Sequence, residues 1–181
     1  SGPGKIIQFV SKTISKAVNM NSHKSMSVIL YCRIFAVLLI SFRFKNILLY
    51  LKLIFNIKNK WNKALLLDLI LHDLHLKLIK KHKTDFSCIF LNAGAHIQHH
   101  YFFNSKYCNN KELNNPKWYV ENKYDPILDA ITFYDNILSD YKKSNDYQIV
   151  VATGLSQKPY DRIKFYYRLK NHEDFLKKLN I

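Results

Sequence analysis

The sequence predicts an α/β fold in which a helix-rich N-terminal half is followed by a small parallel sheet with a βαβ connection. Three observations support this prediction. Apolar residues recur at helical spacing as far as His82, two short apolar runs follow at Phe86–Leu91 and Tyr147–Val151, and a helical pattern over Pro126–Lys142 separates those runs. We expect a helical segment over residues 1–85, as an insertion or cap, and an α/β segment over residues 86–181, both within a fragment of a larger domain.

Three helical patterns make up the first segment. Lys5–Met20 carries one apolar stripe, and Val28 to about Asn56 is helical in pattern with a bend near Ser41. Trp61–His82 is the clearest amphipathic helix, because its apolar face follows steps of three and four residues through Leu65, Leu69, His72, Leu76 and Ile79.

The stretch Val28–Ile57 is apolar enough to raise the question of a membrane span. Charged residues interrupt it, and its longest uncharged run is Ile34–Phe42. A span requires about 20 apolar residues, so no transmembrane segment is predicted. A buried or interface helix is the favoured interpretation, and docking on a membrane surface is the alternative.

The chain is strongly basic. Its 28 Lys and Arg residues against 13 Asp and Glu residues give a net charge of +15. This charge is compatible with a nucleic-acid or anionic-membrane partner. The lysines are dispersed, however, and no basic stripe with regularly interleaved aromatic residues is present, so no nucleic-acid motif is predicted.

The three cysteines, Cys32, Cys88 and Cys108, are widely spaced and form no CxxC motif. This pattern predicts neither a zinc ribbon nor a redox pair. It favours a reducing compartment, and we therefore expect a cytoplasmic protein.

Polar residues follow both predicted strands at the point where each strand ends. Asn92–His100 follows the first run and Ala152–Gln157 follows the second. The intervening helix begins with Asp125 as N-cap and Pro126 in the first turn. Its inner face is predicted to comprise Ile127, Ala130, Ile131, Tyr134, Ile137 and Leu138. Its aspartates Asp129, Asp135 and Asp140 are predicted to be solvated. A βαβ unit places the carboxyl ends of its strands at one edge, so the two polar segments are expected to be neighbours.

The candidate metal site is the histidine cluster after the first strand. His96 and His100 share a face if the segment after Gly94 is helical, and Asn92 precedes His96 by four residues. Neutral imidazoles with an oxygen ligand suit a divalent metal, with zinc or manganese expected here. The predicted substrate contacts are His99, Thr153, Gly154, Ser156 and Gln157. Alternatively, the three histidines bind an anionic ester, act as a general acid or base, or pack structurally at the strand end.

A second histidine pair lies on the third predicted helix. His72 and His75 are three residues apart, with Asp68 and Asp73 nearby. A metal site can be built from such residues, but no further ligand is evident, and histidines of this kind are more often satisfied by neighbouring polar groups.

The second segment resembles the alkaline phosphatase-like superfamily, which includes type I phosphodiesterases, nucleotide pyrophosphatases and sulfatases. LNAGAH resembles that family's strand with an Asp and a following His, with Asn92 and His96 at those two positions. VVATGLS resembles its Asp-His-Gly motif, with Gly154 at the Gly position but Ala152 and Thr153 where the metal ligands stand. The intervening stretch YDPILDAITFYDNIL looks like the helix that links these two elements in that family.

The resemblance implies a metal-assisted hydrolase of a phosphate or sulfate ester with degenerate metal motifs. In it, His96, Asn92 and His100 would hold the metal, and the nucleophile would be a water or come from sequence outside this chain. The alternatives are a non-catalytic module that binds an anionic sugar or nucleotide, and a basic protein that binds nucleic acid or a membrane surface.

Overall fold

Helices are the only periodic backbone structure in the part of the chain that the computed structural model describes, residues 4–19, 27–107, 113–143, 147–153, 162, 169 and 171–180. In chain order they are α1 (Lys5–Asn19), α2 (Val28–Ser41), α3 (Ile47–Phe55), α4 (Lys60–His82), α5 (Ala93–Tyr101), α6 (Pro126–Lys142) and α7 (His172–Lys178). Single turns of 3₁₀ helix precede α3, at Phe44–Asn46, and follow α5, at Phe102–Asn104.

The positions of the predicted helices are confirmed. α4 begins within one residue of its predicted start, and the break between α2 and α3 follows directly after Ser41. Asp125 accepts a hydrogen bond from the Leu128 N–H at 3.0 Å and Pro126 opens α6, as expected of an N-cap followed by proline.

The core is built around α4, which packs against α2, α3, α5 and α6. Leu65, Leu69 and Ile70 of α4 are almost completely buried, together with Ile97 of α5 and Phe133 of α6. Burying each such side chain contributes about 1.5–3 kcal/mol to stability. The four helices that pack against α4 therefore depend on it for their stability.

The predicted parallel sheet is wrong, and the α/β class with it, because no strand occurs among the described residues. Residues 86–91 and 147–153 lack helical structure, as predicted, but they pair with no strand in the described chain. Phe90 is 79% exposed and Val150 is 82% exposed. A segment becomes a β-strand only when a partner strand satisfies its backbone N–H and C=O groups. In this protein the core is formed by apolar helix faces that pack against one another, without a sheet in the described chain.

The predicted inner face of α6 is confirmed at Ala130 and Ile137, which are buried, but it is wrong at Ile131. Ile131 is 55% exposed, whereas Phe133 is buried. Asp140, predicted to be solvated, has a side chain that is only 7% exposed. Asp140 can be buried because basic side chains on neighbouring elements pair with its charge. Helical spacing alone does not reveal this pairing.

Candidate functional site

Helix α5 carries the histidine cluster and follows the non-helical residues 86–91 and the N-cap residue Asn92. The segment after Gly94 is helical, which is the condition under which His96 and His100 share one face. Asn92 is the N-cap residue, and its carbonyl accepts a hydrogen bond from the His96 N–H at 3.1 Å. Its side chain makes no capping bond, so the N–H groups at the start of α5 are satisfied from elsewhere.

Asp68 of α4 supplies those bonds. Its carboxylate accepts hydrogen bonds from the N–H groups of Asn92 at 3.3 Å and Ala93 at 2.9 Å. The Tyr134 hydroxyl of α6 donates to the same carboxylate at 2.8 Å and accepts from the Gly94 N–H at 2.6 Å. Burial raises the pKa of Asp68, and the three donated hydrogen bonds oppose that rise. The start of α5 is therefore fixed to both α4 and α6.

Close approach explains the glycine at position 94. A Cβ atom there would lie 2.7 Å from Cε2 of Tyr134. The ring cannot move away without weakening the hydrogen bonds of its hydroxyl group to Asp68 and to the α5 backbone.

The imidazoles of His96 and His100 are exposed neighbours, with ring centroids 4.7 Å apart. Partial burial lowers the pKa of His96, and the charge on His99 lowers it further. Burial also lowers the pKa of His100, with added effects from His96, His99 and Lys60. Both rings therefore favour the neutral form, which can bind a metal through nitrogen or form hydrogen bonds with an ester.

Aromatic and basic residues from two other segments extend this cluster. The Tyr119 hydroxyl lies 2.7 Å from Nδ1 of His100, and Nζ of Lys60 lies 5.6 Å from the centroid of the Tyr119 ring. The exposed Trp118 packs edge-on against Tyr119. We call these five residues the His–Lys–aromatic surface: His96, His100, Lys60, Trp118 and Tyr119.

A shallow cleft of about 230 Å³ adjoins this surface. It is lined by Lys58, Lys60 and Lys117 together with the rings of Trp118 and Tyr119. The segment that carries the two aromatic residues is tied to α5, because the Asn115 side chain donates to the His100 carbonyl at 3.0 Å. Cationic groups and ring faces therefore lie together on a supported backbone.

The predicted site residues have different outcomes. The structure brings His96 and His100 together, and Asn92 lies at the N-cap of the same helix with an exposed side chain. Thr153 is exposed, and Gly154, Ser156 and Gln157 lie outside the described residues. Since there is no parallel sheet in the described chain, the shared sheet edge that led us to expect Thr153 near His96 is wrong.

No cluster of three His, Cys, Asp or Glu side chains with metal-site geometry occurs among the described residues. On α4, His75 instead lies 2.7 Å from both the Tyr141 hydroxyl and the Ser87 hydroxyl. The Asp68 carboxylate accepts hydrogen bonds from backbone N–H groups at the start of α5. His75 and Asp68 thus have structural partners.

Sequence reasoning missed Lys60, Trp118 and Tyr119, which complete the surface around His100. The available signal was local: Lys60 stands beside Trp61, and Lys117 directly precedes Trp118 and Tyr119. Those two basic–aromatic pairs are far apart in the sequence, and only the fold places both next to α5.

A buried charged network was also missed. Nη1 of Arg43 lies 3.3 Å from Asp73 and 3.1 Å from Asp140, and the Asn46 side chain donates to Asp73 at 2.6 Å. His72 lies 3.4 Å from Asp140, which also pairs with Lys45. Burial raises the pKa of Asp73 and would raise that of Asp140, but hydrogen bonds from Lys45 and His72 and the Arg43 charge lower the Asp140 pKa overall. The network joins α4, α6 and the segment before α3.

No family model matches the chain, and no curated protein or solved structure resembles it at a significant level.

Proposed function

We propose that this chain binds a phosphate or sulfate ester, with a nucleotide or an anionic sugar as the ligand class, on the His–Lys–aromatic surface. The observation that carries the proposal is the joint position of two imidazoles, the Lys60 ammonium group and the Trp118 and Tyr119 rings at one exposed place.

Each group has a distinct part in recognising such a ligand. Lys60 and Lys117 supply positive charge for the phosphate or sulfate, and imidazole N–H groups donate to its oxygens. The exposed Trp118 ring offers a face for a base or a sugar ring, contacts that contribute about 1–3 kcal/mol for a nucleobase. Because the surface is open, we expect moderate affinity that weakens as salt is raised.

The test is a titration of the chain with adenosine monophosphate, followed by Trp fluorescence and by calorimetry, beside a titration with adenosine. We expect the monophosphate to bind and the uncharged nucleoside to bind more weakly by tenfold or more, because hydrogen bonds to charged groups contribute about 1.5–3 kcal/mol. Lys60→Gln and His100→Ala are each expected to raise the dissociation constant by about tenfold for the same reason.

Two matched variants control for general loss of charge. Lys12→Gln on α1 and His82→Ala at the end of α4 change exposed residues of the same types outside the surface. The proposal fails if these controls weaken binding as much as Lys60→Gln and His100→Ala do, or if adenosine binds as tightly as the monophosphate.

Metal-assisted hydrolysis of the bound ester is a second candidate function, favoured by the neutral, neighbouring imidazoles of His96 and His100. These residues could hold zinc or manganese, with Asn92 one helical turn before His96. A divalent metal there would supply Lewis acidity toward an ester oxygen.

This second candidate is tested by adding zinc or manganese to the chain with bis(4-nitrophenyl) phosphate and, separately, 4-nitrophenyl sulfate. Hydrolysis predicts metal-dependent release of nitrophenolate that His96→Ala abolishes and His82→Ala leaves intact. Calorimetry with the metal alone provides an independent readout. If the ester binds but neither metal binding nor turnover depends on His96, the surface serves in binding only.

A further inference from the structure

Helix α2 presents an apolar stripe to solvent although its other face is already packed. Val28, Cys32, Phe35 and Leu39 follow steps of four, three and four residues, so they lie on one side of the helix. All four are exposed, with Phe35 at 61% and Leu39 at 63%. The opposite side, with Leu30 and Val37, is buried in the protein.

Helix α3 and the turn before it repeat this arrangement. Phe44, Leu48, Leu51 and Phe55 follow the same spacing, and Phe44, Leu48 and Phe55 are each at least 77% exposed. The inward residues Tyr50 and Leu53 are buried. Helices that are apolar on all sides require cover on all sides, and contiguous apolar surface of this kind marks an interaction site.

The shape of this pair limits what can cover it. No single helix in the described part of the chain is long and apolar enough to cross a bilayer. Residues 28–41 and 44–55 taken together are long and apolar enough by length and composition, but the two helices are bent by 113° at the break between them. In this bent form each helix offers one apolar side while its other side stays on the core, which suits contact with a surface.

Charge distinguishes a lipid surface from a second copy of the chain. The first 67 residues contain eleven Lys or Arg residues and no Asp or Glu. Arg33 and Lys52 are exposed on α2 and α3 themselves, and Lys58 is exposed just after α3. Two such surfaces would repel each other, whereas anionic headgroups attract them. We propose that the outward faces of α2 and α3 dock on an anionic membrane surface, with the apolar stripes at the acyl-chain boundary and the basic residues among the headgroups.

The test is flotation of the chain with vesicles of phosphatidylcholine mixed with phosphatidylglycerol, beside vesicles of phosphatidylcholine alone. We expect binding to the anionic vesicles that weakens with added salt. Phe35→Glu and Leu48→Glu should each abolish it. Arg33→Gln and Lys52→Gln should each lower the partition coefficient about fivefold, as expected of one cationic side chain near such a surface.

Val150→Glu is the matched control, because Val150 is as exposed as the stripe residues but lies outside α2 and α3. It should leave partitioning unchanged, and circular dichroism should show unchanged helix content in every variant. Equal binding to both kinds of vesicle, loss in Val150→Glu, or loss in only one of the two stripe variants would overturn the proposal. So would absence of vesicle binding together with a dimer in solution that Leu48→Glu dissociates.

Discussion

Among single residues, Gly94 shows how closely α5 approaches α6. We expect Gly94→Ala to destabilise the fold by about 1–3 kcal/mol, because the new methyl group would lie 2.7 Å from the Tyr134 ring, whose hydroxyl is held by two hydrogen bonds. Urea unfolding measures the effect.

Gly4→Ala is the natural comparison for this substitution, since a Cβ atom at Gly4 would meet no atom within 4 Å. Equal stability of Gly94→Ala and Gly4→Ala would contradict the close approach of Tyr134.

Arg43 is the second residue whose role the structure defines. Asp73 has no exposed side-chain surface, and Arg43 lies 3.3 Å from it. Arg43→Met is expected to lower the free energy of unfolding by about 3 kcal/mol, because it leaves a buried carboxylate without its cation.

Lys123→Met removes a cation from an exposed pair with Glu121 and serves as the control. We expect no measurable change from it, as is usual for surface ion pairs. If both substitutions leave the urea midpoint where it is, the network around Asp73 does not stabilise the fold.

At the scale of elements, residues 86–91 and 147–153 show why the strand predictions are wrong. Both segments are rich in apolar, β-favouring residues, yet neither forms a strand in the described chain. Whether such a segment becomes a strand depends on a partner, which no property of the segment itself provides.

These exposed apolar segments predict an association hazard, because a β-favouring segment without a partner strand can pair with another chain. Val150→Lys, or Phe90→Lys, should slow aggregation on warming, followed by light scattering, with little change in the urea midpoint. Both positions are about 80% exposed, so the substitutions remove no buried contact. A lower midpoint with unchanged aggregation would show that these side chains stabilise the fold instead.

For the molecule as a whole, the histidines predict how stability varies with pH. Burial lowers the pKa of His72, His75, His96 and His100 from their usual value of 6.5. Each is therefore protonated more readily in the unfolded chain. Their contribution to stability is fully present above pH 6.5 and is lost as the pH falls toward the lowered values.

We therefore expect the urea midpoint to fall between about pH 7.5 and pH 5.5. The raised pKa values of Asp68 and Asp73 act in the opposite sense, adding stability only as those carboxyl groups take up protons at lower pH. His72→Gln should reduce the slope of the urea midpoint against pH. A midpoint that rises as the pH falls over this interval would contradict the lowered pKa values of these histidines.

Local sequence was sufficient to predict most of the helices, the N-cap at Asp125 and, given a helical segment after Gly94, the shared face of His96 and His100. These features depend on residues close together in the chain, where periodicity and capping chemistry are decisive. Helix packing was needed to show that residues 86–91 and 147–153 form no strand in the described chain, that Asp68 and Tyr134 hold the start of α5, and that Lys60 and Tyr119 lie beside His100. Such contacts join residues far apart in sequence, and they depend on which helix faces pack together rather than on any local pattern.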